Sequence, residues 1–335
     1  MGSPRVRFGV DLEPFFRVNK NPSSVARVAS EIERLGFDSL WMPDHSVDPL
    51  LMLSFIAEST KKVRLGTCVL IPDHRNPALL AREVSSLDNL SEGRFVLGLG
   101  AGEERKLFGA PIDKPVARML ESLRIMEELW QHSNVSYHGH FWGIDDYSLE
   151  LKPLQKPHPP IWFGASGPRM LKITAEHGDG CFGPQLVPED YGKWLGRLRG
   201  IAQGIGRNPD EITPAHLPFT SISDDHDAAV EWLEPHVRWF LVWASQPPGS
   251  TLQTALGYRT EWKKEEDVPR DAIEKCFVVG TPEECVEKMK EFVRFGVRYF
   301  VLAIRAPDEE SYFHSLKLYA EEVMPRFSEN DFRGK

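Results

Sequence analysis

Apolar residues run along this chain in two rhythms. One is a set of short stretches apolar on both sides: Val6–Leu12, Asp38–Met42, Val63–Ile71, Phe95–Leu99, Ile161–Phe163, Asp179–Phe182, His216–Ile222 and Val297–Ile304. Such runs predict strands buried on both faces, as in a parallel sheet. The other has helical period. Ser23 or Ser24 can cap a helix through Leu35 that carries Val25, Val28, Ile32 and Leu35 on one face and stops at Gly36. Further helices are predicted over Pro49–Thr60, Pro77–Leu90, Val116–Gln131, a segment ending at His177, Pro188–Gly204, Thr281–Phe295 and Asp308–Phe327. Strand and helix alternate throughout, which predicts parallel pairing with right-handed crossovers and an α/β fold, the (β/α)8 TIM-type barrel.

Three stretches break the rhythm. Arg105–Pro115 is irregular. His132–Pro160, rich in Gly, Pro, His and aromatics, reads as an excursion with a small hairpin over the barrel mouth. From about Asp224 to Ala272 the chain is helical and Trp-rich, which predicts an inserted segment. Residues 1–335 are thus expected to form one barrel domain with two insertions. No internal repeat or low-complexity tract interrupts it.

Composition narrows the partners. The net charge of −9 comes with dispersed Lys and Arg, which argues against nucleic acid. No apolar run approaches a membrane span, and the N-terminus lacks the apolar core of an export signal, so a cytoplasmic protein is expected. Cys68, Cys181, Cys276 and Cys285 are scattered, with no CxxC pair.

The chemistry gathers at the carboxyl ends of the predicted strands. Arg94–Glu104 reads RFVLGLGAGEE, a buried strand followed by glycines and then Glu103 and Glu104. Its glycine spacing fails the dinucleotide-binding fingerprint, because the third glycine comes one residue early and acids follow it. Glu103 is a candidate acid, and a solvated acidic loop is the plainer reading. Asp44-His45 follows the second strand and offers a titratable imidazole, or a turn Asp beside a packed His. Gly164-Ala165-Ser166-Gly167 opens a helix whose N-terminus suits a phosphate, or is an ordinary cap. Gly66-Thr67-Cys68-Val69 is a small-residue patch inside the third strand, consistent with a flat ligand or with close packing. Asp11 and Glu13 end the first strand and are candidate substrate contacts, together with Phe141 and Trp142 of the excursion. Trp239 and Trp243 suit either an apolar lid or core packing.

Taken together, GFDSLWMPDH (36–45), LGTCVLIPDHRNPALLA (65–81), LSEGRFVLGLGAGEE (90–104), KPVAR (114–118), ASGPRML (165–171), GDG (178–180) and VVGTPEE (278–284) resemble the luciferase-like superfamily of flavin and deazaflavin barrels. Within it the chain is similar to the branch that uses coenzyme F420. The KPVAR and GPRML blocks look most like the phthiodiolone ketoreductase group. Methylene-tetrahydromethanopterin reductase and F420-dependent glucose-6-phosphate dehydrogenase are more distant. The resemblance implies that Asp44 contacts the deazaflavin, that His45 sits by the reacting ring, and that Glu103 is the proton donor. It implies a cis peptide at Cys68-Val69 supporting the ring from behind, with Gly102 beside it and Ala165, Ser166 and Gly167 as the phosphate turn. The expected reaction is hydride transfer between the deazaflavin and a carbonyl or alcohol, with a methylene-tetrahydropterin-type reduction as a variant. A small-molecule substrate and a homodimer are implied as well.

The chain also departs from the sugar-phosphate enzyme. Val187 and Cys276 stand where that relative has phosphate-gripping cations, Pro49 falls near the place of a Trp, and Gly183-Pro184 lacks a hydroxyl offered to cofactor. An uncharged pocket cannot hold a dianion, so a phosphorylated sugar is disfavoured. Two alternatives stand beside the main reading: an FMN-dependent monooxygenase of the same superfamily, and a metal-dependent barrel hydrolase using His74, His138 and His140. The first strand's lack of HxH and the loop position of His138 and His140 argue against the latter, and no metal site is expected.

Overall fold

The computed structural model describes residues 6–102, 113–184, 187–244 and 262–327. The chain opens with β1 (Arg7–Asp11), a short α1 (Glu13–Val18), α2 (Val25–Arg34), β2 (Ser39–Met42), α3 (Pro49–Ser59), β3 (Arg64–Thr67), α4 (Pro77–Leu90) and β4 (Phe95–Leu99). α5 (Pro115–Gln131) leads to an antiparallel hairpin of β5 (Val135–His138) and β6 (Gly143–Tyr147). Then come β7 (Ile161–Gly164), α6 (Pro168–His177), β8 (Gly180–Phe182), α7 (Pro188–Gly204), β9 (Thr213–His216), β10 (Phe219–Ile222) and α8 (His226–Ala244). α9 (Arg270–Cys276), β11 (Val278–Gly280), α10 (Pro282–Arg294), β12 (Tyr299–Ile304) and α11 (Glu309–Leu318) complete it.

The parallel strands run β1-β2-β3-β4-β7-β8-β9-β12, and β12 pairs back onto β1 from Arg7↔Tyr299 to Val10↔Leu302. The sheet therefore closes into a (β/α)8 TIM-type barrel with helices around it. Proline at the first turn starts many of the helices, where its missing N–H costs nothing. Asp48 caps α3, Asn76 caps α4, and Thr281 with Glu284 forms a reciprocal capping box on α10. Among the described residues no helix is long and apolar enough to cross a membrane.

Several elements differ from the sequence expectation for physical reasons. The barrel's seventh strand is β9, which meets the expected His216–Ile222 span only at His216; Pro218, with no N–H for the ladder, separates it from β10. β10 leaves the ring to pair with the upper end of β12 and, on its other side, with β11, which no periodicity marked in so short a run. The third strand stops at Thr67 and not at Ile71. There the Thr67 hydroxyl donates to Gly98 O (2.7 Å) and accepts from Gly98 N (2.9 Å), so a side chain replaces the main chain across that rung. The last helix ends at Leu318 and continues as a wider π turn.

The barrel interior is plugged by aromatics. Trp41, Trp162, Phe182 and Tyr299 pack with Val96, Ala215 and Val301, with Trp41 and Trp162 centroids 5.0 Å apart. Gly66 is required beneath this layer, since a Cβ there would lie 2.3 Å from the Trp41 ring. The plug fills the lower barrel and confines any ligand to the carboxyl end of the strands. Below it, the Arg94 guanidinium donates to the carbonyls of Ala57, Thr60, Val63 and Ser91 and to the Thr60 hydroxyl, tying the end of α3 to the starts of β3 and β4. Arg94→Met would leave these acceptors without a donor while keeping the packed stem. It is expected to cost about 2–3 kcal/mol of stability, read as a lowered urea midpoint at unchanged slope; a midpoint equal to wild type would show that solvent satisfies them.

Candidate active site

A cavity of about 380 Å³ opens at the carboxyl ends of β2, β3, β4 and β7. Asp44, His45, Val69, Ile71, His74, Gly100, Ala101, Gly102, Gly164, Ser166, Gly167 and Met170 line it. Segments far apart in sequence thus meet here: Asp44-His45, Val69, Gly102 and Ser166-Gly167. Two predicted residues stand behind the wall. Ala165 is buried, its N–H donating to Phe182 O (3.1 Å) and its carbonyl accepting from Trp194 (2.8 Å). Cys68 borders the aromatic plug, and the Cys68–Val69 peptide is cis. Glu103 lies outside the described residues.

Glycine shapes the cavity where side chains would fill it. A Cβ on Gly100 would come within 2.3 Å of Val69 Cγ2, and one on Gly164 within 3.3 Å of Val69 Cγ1. Gly98 is tighter still: its Cβ would lie 1.8 Å from the Thr67 carbonyl oxygen. Opposite, Gly167 begins α6 with no side-chain cap on the helix, and a Cβ there would meet nothing within 4 Å. One side is therefore a flat aliphatic wall at Val69, and the other an open helix N-terminus suited to an anion.

The acids divide by what surrounds them. Asp44 has a side chain only 8% exposed. It accepts from Arg75 Nη1 (2.7 Å) and from the Ile71 N–H (3.2 Å), and His74 Nδ1 lies 3.6 Å away. Its own N–H donates to Val69 O (3.2 Å). The resemblance makes Asp44 a cofactor contact; the structure shows that its carboxylate also braces the loop carrying the flat wall. Arg75 was not marked by sequence reasoning, and His74 was weighed only as a metal ligand. The signal was their place directly after the Pro72-Asp73 turn that follows the third strand.

His45 is held from the first strand. Its Nδ1 lies 2.8 Å from Glu13 Oε1 and 3.1 Å from the Ser46 hydroxyl, which itself donates to Glu13 (2.9 Å). Burial raises the Glu13 pKa, but hydrogen bonds from Ser46 and His45 and the charge of Arg17 outweigh it, so the carboxyl is lowered and stays ionised. A carboxylate on Nδ1 makes that nitrogen the donor and fixes the ring's orientation. Asp11, by contrast, is buried, and burial together with the Glu13 charge pushes its pKa up to about 7. Near it stands Arg305, 7% exposed, its guanidinium 5.2 Å above the Phe219 ring. Among the described residues that guanidinium makes no hydrogen bond and no ion pair within 4 Å. Sequence reasoning missed Arg305, because an Arg after a strand carries no local mark of burial.

The excursion residues lie elsewhere. None of Phe141, Trp142, His138 or His140 lines the cavity, and the hairpin docks on α5 instead of covering the mouth. His138 pairs with Asp145 at 3.3 Å, and among the described residues no group of three or more His, Cys, Asp or Glu side chains could hold a metal ion. Trp239 is 51% exposed on α8.

A carboxyl whose folded pKa lies above its unfolded value contributes stability that is full at low pH and lost as pH rises towards the folded value. For Asp11 that window runs from about 4 to about 7. Asp11→Asn mimics the neutral form at every pH. Its stability relative to wild type should therefore rise between pH 5 and pH 8 by about 2–3 kcal/mol, from about two pK units at 1.36 kcal/mol each. Urea titrations at both pH values check this, and a constant difference would show that Asp11 is ionised throughout.

A family model described as luciferase-like monooxygenase matches residues 7–299. The phthiodiolone/phenolphthiodiolone dimycocerosates ketoreductase of Mycobacterium bovis (strain BCG / Pasteur 1173P2) is 30% identical over 310 residues, covering 83% of this chain and 80% of that one. The F420-dependent glucose-6-phosphate dehydrogenase of Amycolatopsis mediterranei is 26% identical over 326 residues, covering 91% and 94%. The structure of the coenzyme F420-dependent tetrahydromethanopterin reductase from Methanopyrus kandleri superposes with a TM-score of 0.80 at 23% identity, over 97% of this chain and all of that one, which establishes the shared fold. The chain belongs to the luciferase-like monooxygenase family and is an oxidoreductase of the branch that these relatives define.

Proposed function

We propose that this oxidoreductase uses coenzyme F420 and moves a hydride between the deazaflavin and the carbonyl carbon of an organic substrate, interconverting a ketone or aldehyde and an alcohol. The observation that carries the reading is the shape of the cavity. A flat wall at Val69, kept open by Gly100 and Gly164, faces an uncapped helix N-terminus at Ser166-Gly167. A planar ring with a phosphate on its side chain fits that pairing, and the named relatives include F420-dependent enzymes and a ketoreductase. When bound, the deazaflavin supplies or accepts the hydride.

The chain's own residues do the rest. Asp44 and Arg75 hold the loop that forms the wall. Glu13 and Ser46 hold the His45 imidazole at the cavity edge, where it can stabilise negative charge or carry a proton. Glu103 is the group proposed to protonate the substrate oxygen in reduction and to remove that proton in the reverse direction. Asp11, its pKa pushed up to about 7, and the buried Arg305 stand on the β1–β12 side behind the cavity lining and are proposed to set the charge on the substrate side. A phosphorylated sugar finds no support, because Val187 and Cys276 belong to one apolar cluster with α8 and α9.

Glu103→Gln should lower kcat by about 10²–10⁴-fold, the range expected for loss of a general acid, while the F420 Kd stays within about threefold. Wild-type turnover in that variant would remove Glu103 as the acid. Titration of the purified protein with F420 and FMN side by side tests the cofactor. Saturable F420 binding with ketone-dependent change in deazaflavin absorbance is expected. FMN binding with oxygen consumption would instead favour the monooxygenase reading.

A further inference from the structure

Above the aromatic plug, on the β1–β12 side of the barrel mouth, the chain buries a cation that its own fold leaves unmet. β12 lies across the ring of strands from β4. Its Tyr299 and Val301 belong to the plug. The ladder to the β9–β10 segment continues from Ala303 N to Pro218 O (3.1 Å) and from Arg305 N to Thr220 O (2.7 Å), so Arg305 shares the inward face. β1 follows the same alternation. A Cβ on Gly9 would meet the Ser39 hydroxyl and the Trp41 ring, which puts Asp11 on the inward face as well. Both side chains therefore stand over the plug at the carboxyl end of the barrel.

Arg305 is 7% exposed, and among the described residues its Nε and Nη1 find no hydrogen-bond partner. The Phe219 ring beneath the guanidinium meets the charge only weakly. Glu13 on α1 is already engaged by Arg17 (3.0 Å), His45 (2.8 Å) and Ser46 (2.9 Å). Asp11 accepts from the Glu13 N–H (3.0 Å), and with its pKa pushed up to about 7 it is a carboxylic acid over part of the neutral range. His236, half-buried on α8, has its pKa held down by burial and then by the charges of Arg305 and Arg17. The Tyr312 hydroxyl on α11 is buried without a partner among the described residues, and the charges of Asp11 and Arg305 both reach it. With Asp11 protonated, Arg17 and Glu13 cancel, and Arg305 is left as one uncompensated positive charge. A fold gains nothing from a buried unpaired cation, and its desolvation is offset only when an anion arrives. The cluster begins one side chain behind the cavity: His45 lines the cavity and touches Glu13, and Glu13 is bonded to Asp11.

We infer that the substrate carries a carboxylate and that Arg305 receives it, with the Asp11 carboxyl and the Tyr312 hydroxyl beside it. The inference rests on the hydride-transfer reading above and names its substrate class: keto acids and the matching hydroxy acids. A single cation suits a monoanion, whereas a phosphate dianion would leave a second buried charge unpaired. The substrate carbonyl then lies towards the Val69 wall while its carboxylate points across the mouth to β12. Such a two-point hold orients the reacting carbon as well as binding it.

The test compares pyruvate, acetoacetate and levulinate, which set the carboxylate at increasing distance from the ketone, each against its methyl ester. Binding is read by calorimetry on the protein alone and with F420, and turnover by deazaflavin absorbance. At about pH 6, below the Asp11 value, wild-type protein should favour at least one acid over its ester by about ten- to a hundredfold, the range for a hydrogen bond to a charged group. Arg305→Met keeps the packed stem and removes the charge. Its acid-to-ester ratio should fall to about one, and its urea midpoint should stand at or above that of wild type, because a buried unpaired charge is gone. Equal wild-type affinity for acids and esters, with esters still reduced by F420, overturns the inference and leaves the hydride-transfer reading standing. An acid preference that survives in Arg305→Met also overturns it, because the carboxylate is then held elsewhere. So does a midpoint well below wild type, which would show the guanidinium to be met within the fold. An acid preference lost in the variant, alongside FMN binding and oxygen consumption, would uphold the carboxylate site and remove the F420 reading.

Discussion

At the carboxyl ends of β3 and β4 the two strands come so close that no side chain fits between them. Gly98 faces the Thr67 carbonyl, and the Thr67 hydroxyl bonds to both main-chain groups of Gly98. The hydroxyl satisfies donor and acceptor where the regular ladder ends, so the rung stays closed although the strand has stopped. Beyond it the chain of β3 turns across the barrel mouth and lays Val69 against Gly100 and Gly164. The wall of the cavity is a consequence of that approach. Larger residues at positions 98, 100 or 164 would push the strands apart or fill the space a ligand needs.

Charge is distributed around this wall by burial and pairing. Asp44 is buried but met by Arg75 and by the Ile71 N–H, so its carboxylate serves as a structural anion. Glu13 is held ionised by Ser46 and His45. Asp11, two residues earlier, accepts from the Glu13 N–H, but burial and then the like charge of Glu13 drive its pKa up to about 7. Two carboxyls within one short segment thus have their pKa values driven in opposite directions, Asp11 up and Glu13 down. The aromatic plug beneath them excludes water from below and strengthens every one of these interactions.

Outside the cavity, the excursions from the barrel are anchored to it by buried polar contacts. The β5–β6 hairpin is fixed to α5 through a buried glutamate that takes three N–H groups. The rigid barrel places the chemistry, and the added segments shape what can approach it.

Much of this was legible from local pattern. Strands buried on both faces, helices begun by proline, and acids and glycines at strand ends are short-range features that indicated the barrel and put Asp44, His45, Ser166 and Gly167 at one mouth. Val69 and Gly102 were marked through the family resemblance. The expected Ser24 cap is absent, its hydroxyl donating to Asn21 O instead. Other features were beyond it. The short β11, the break at Pro218 and the docking of the hairpin depend on partners distant in sequence. So do the pairing of Asp44 with Arg75 and the burial of Arg305. A side chain's identity sets which charge it can carry, but the free energy of carrying it depends on the dielectric and the partners around it, and those exist only once the chain is folded.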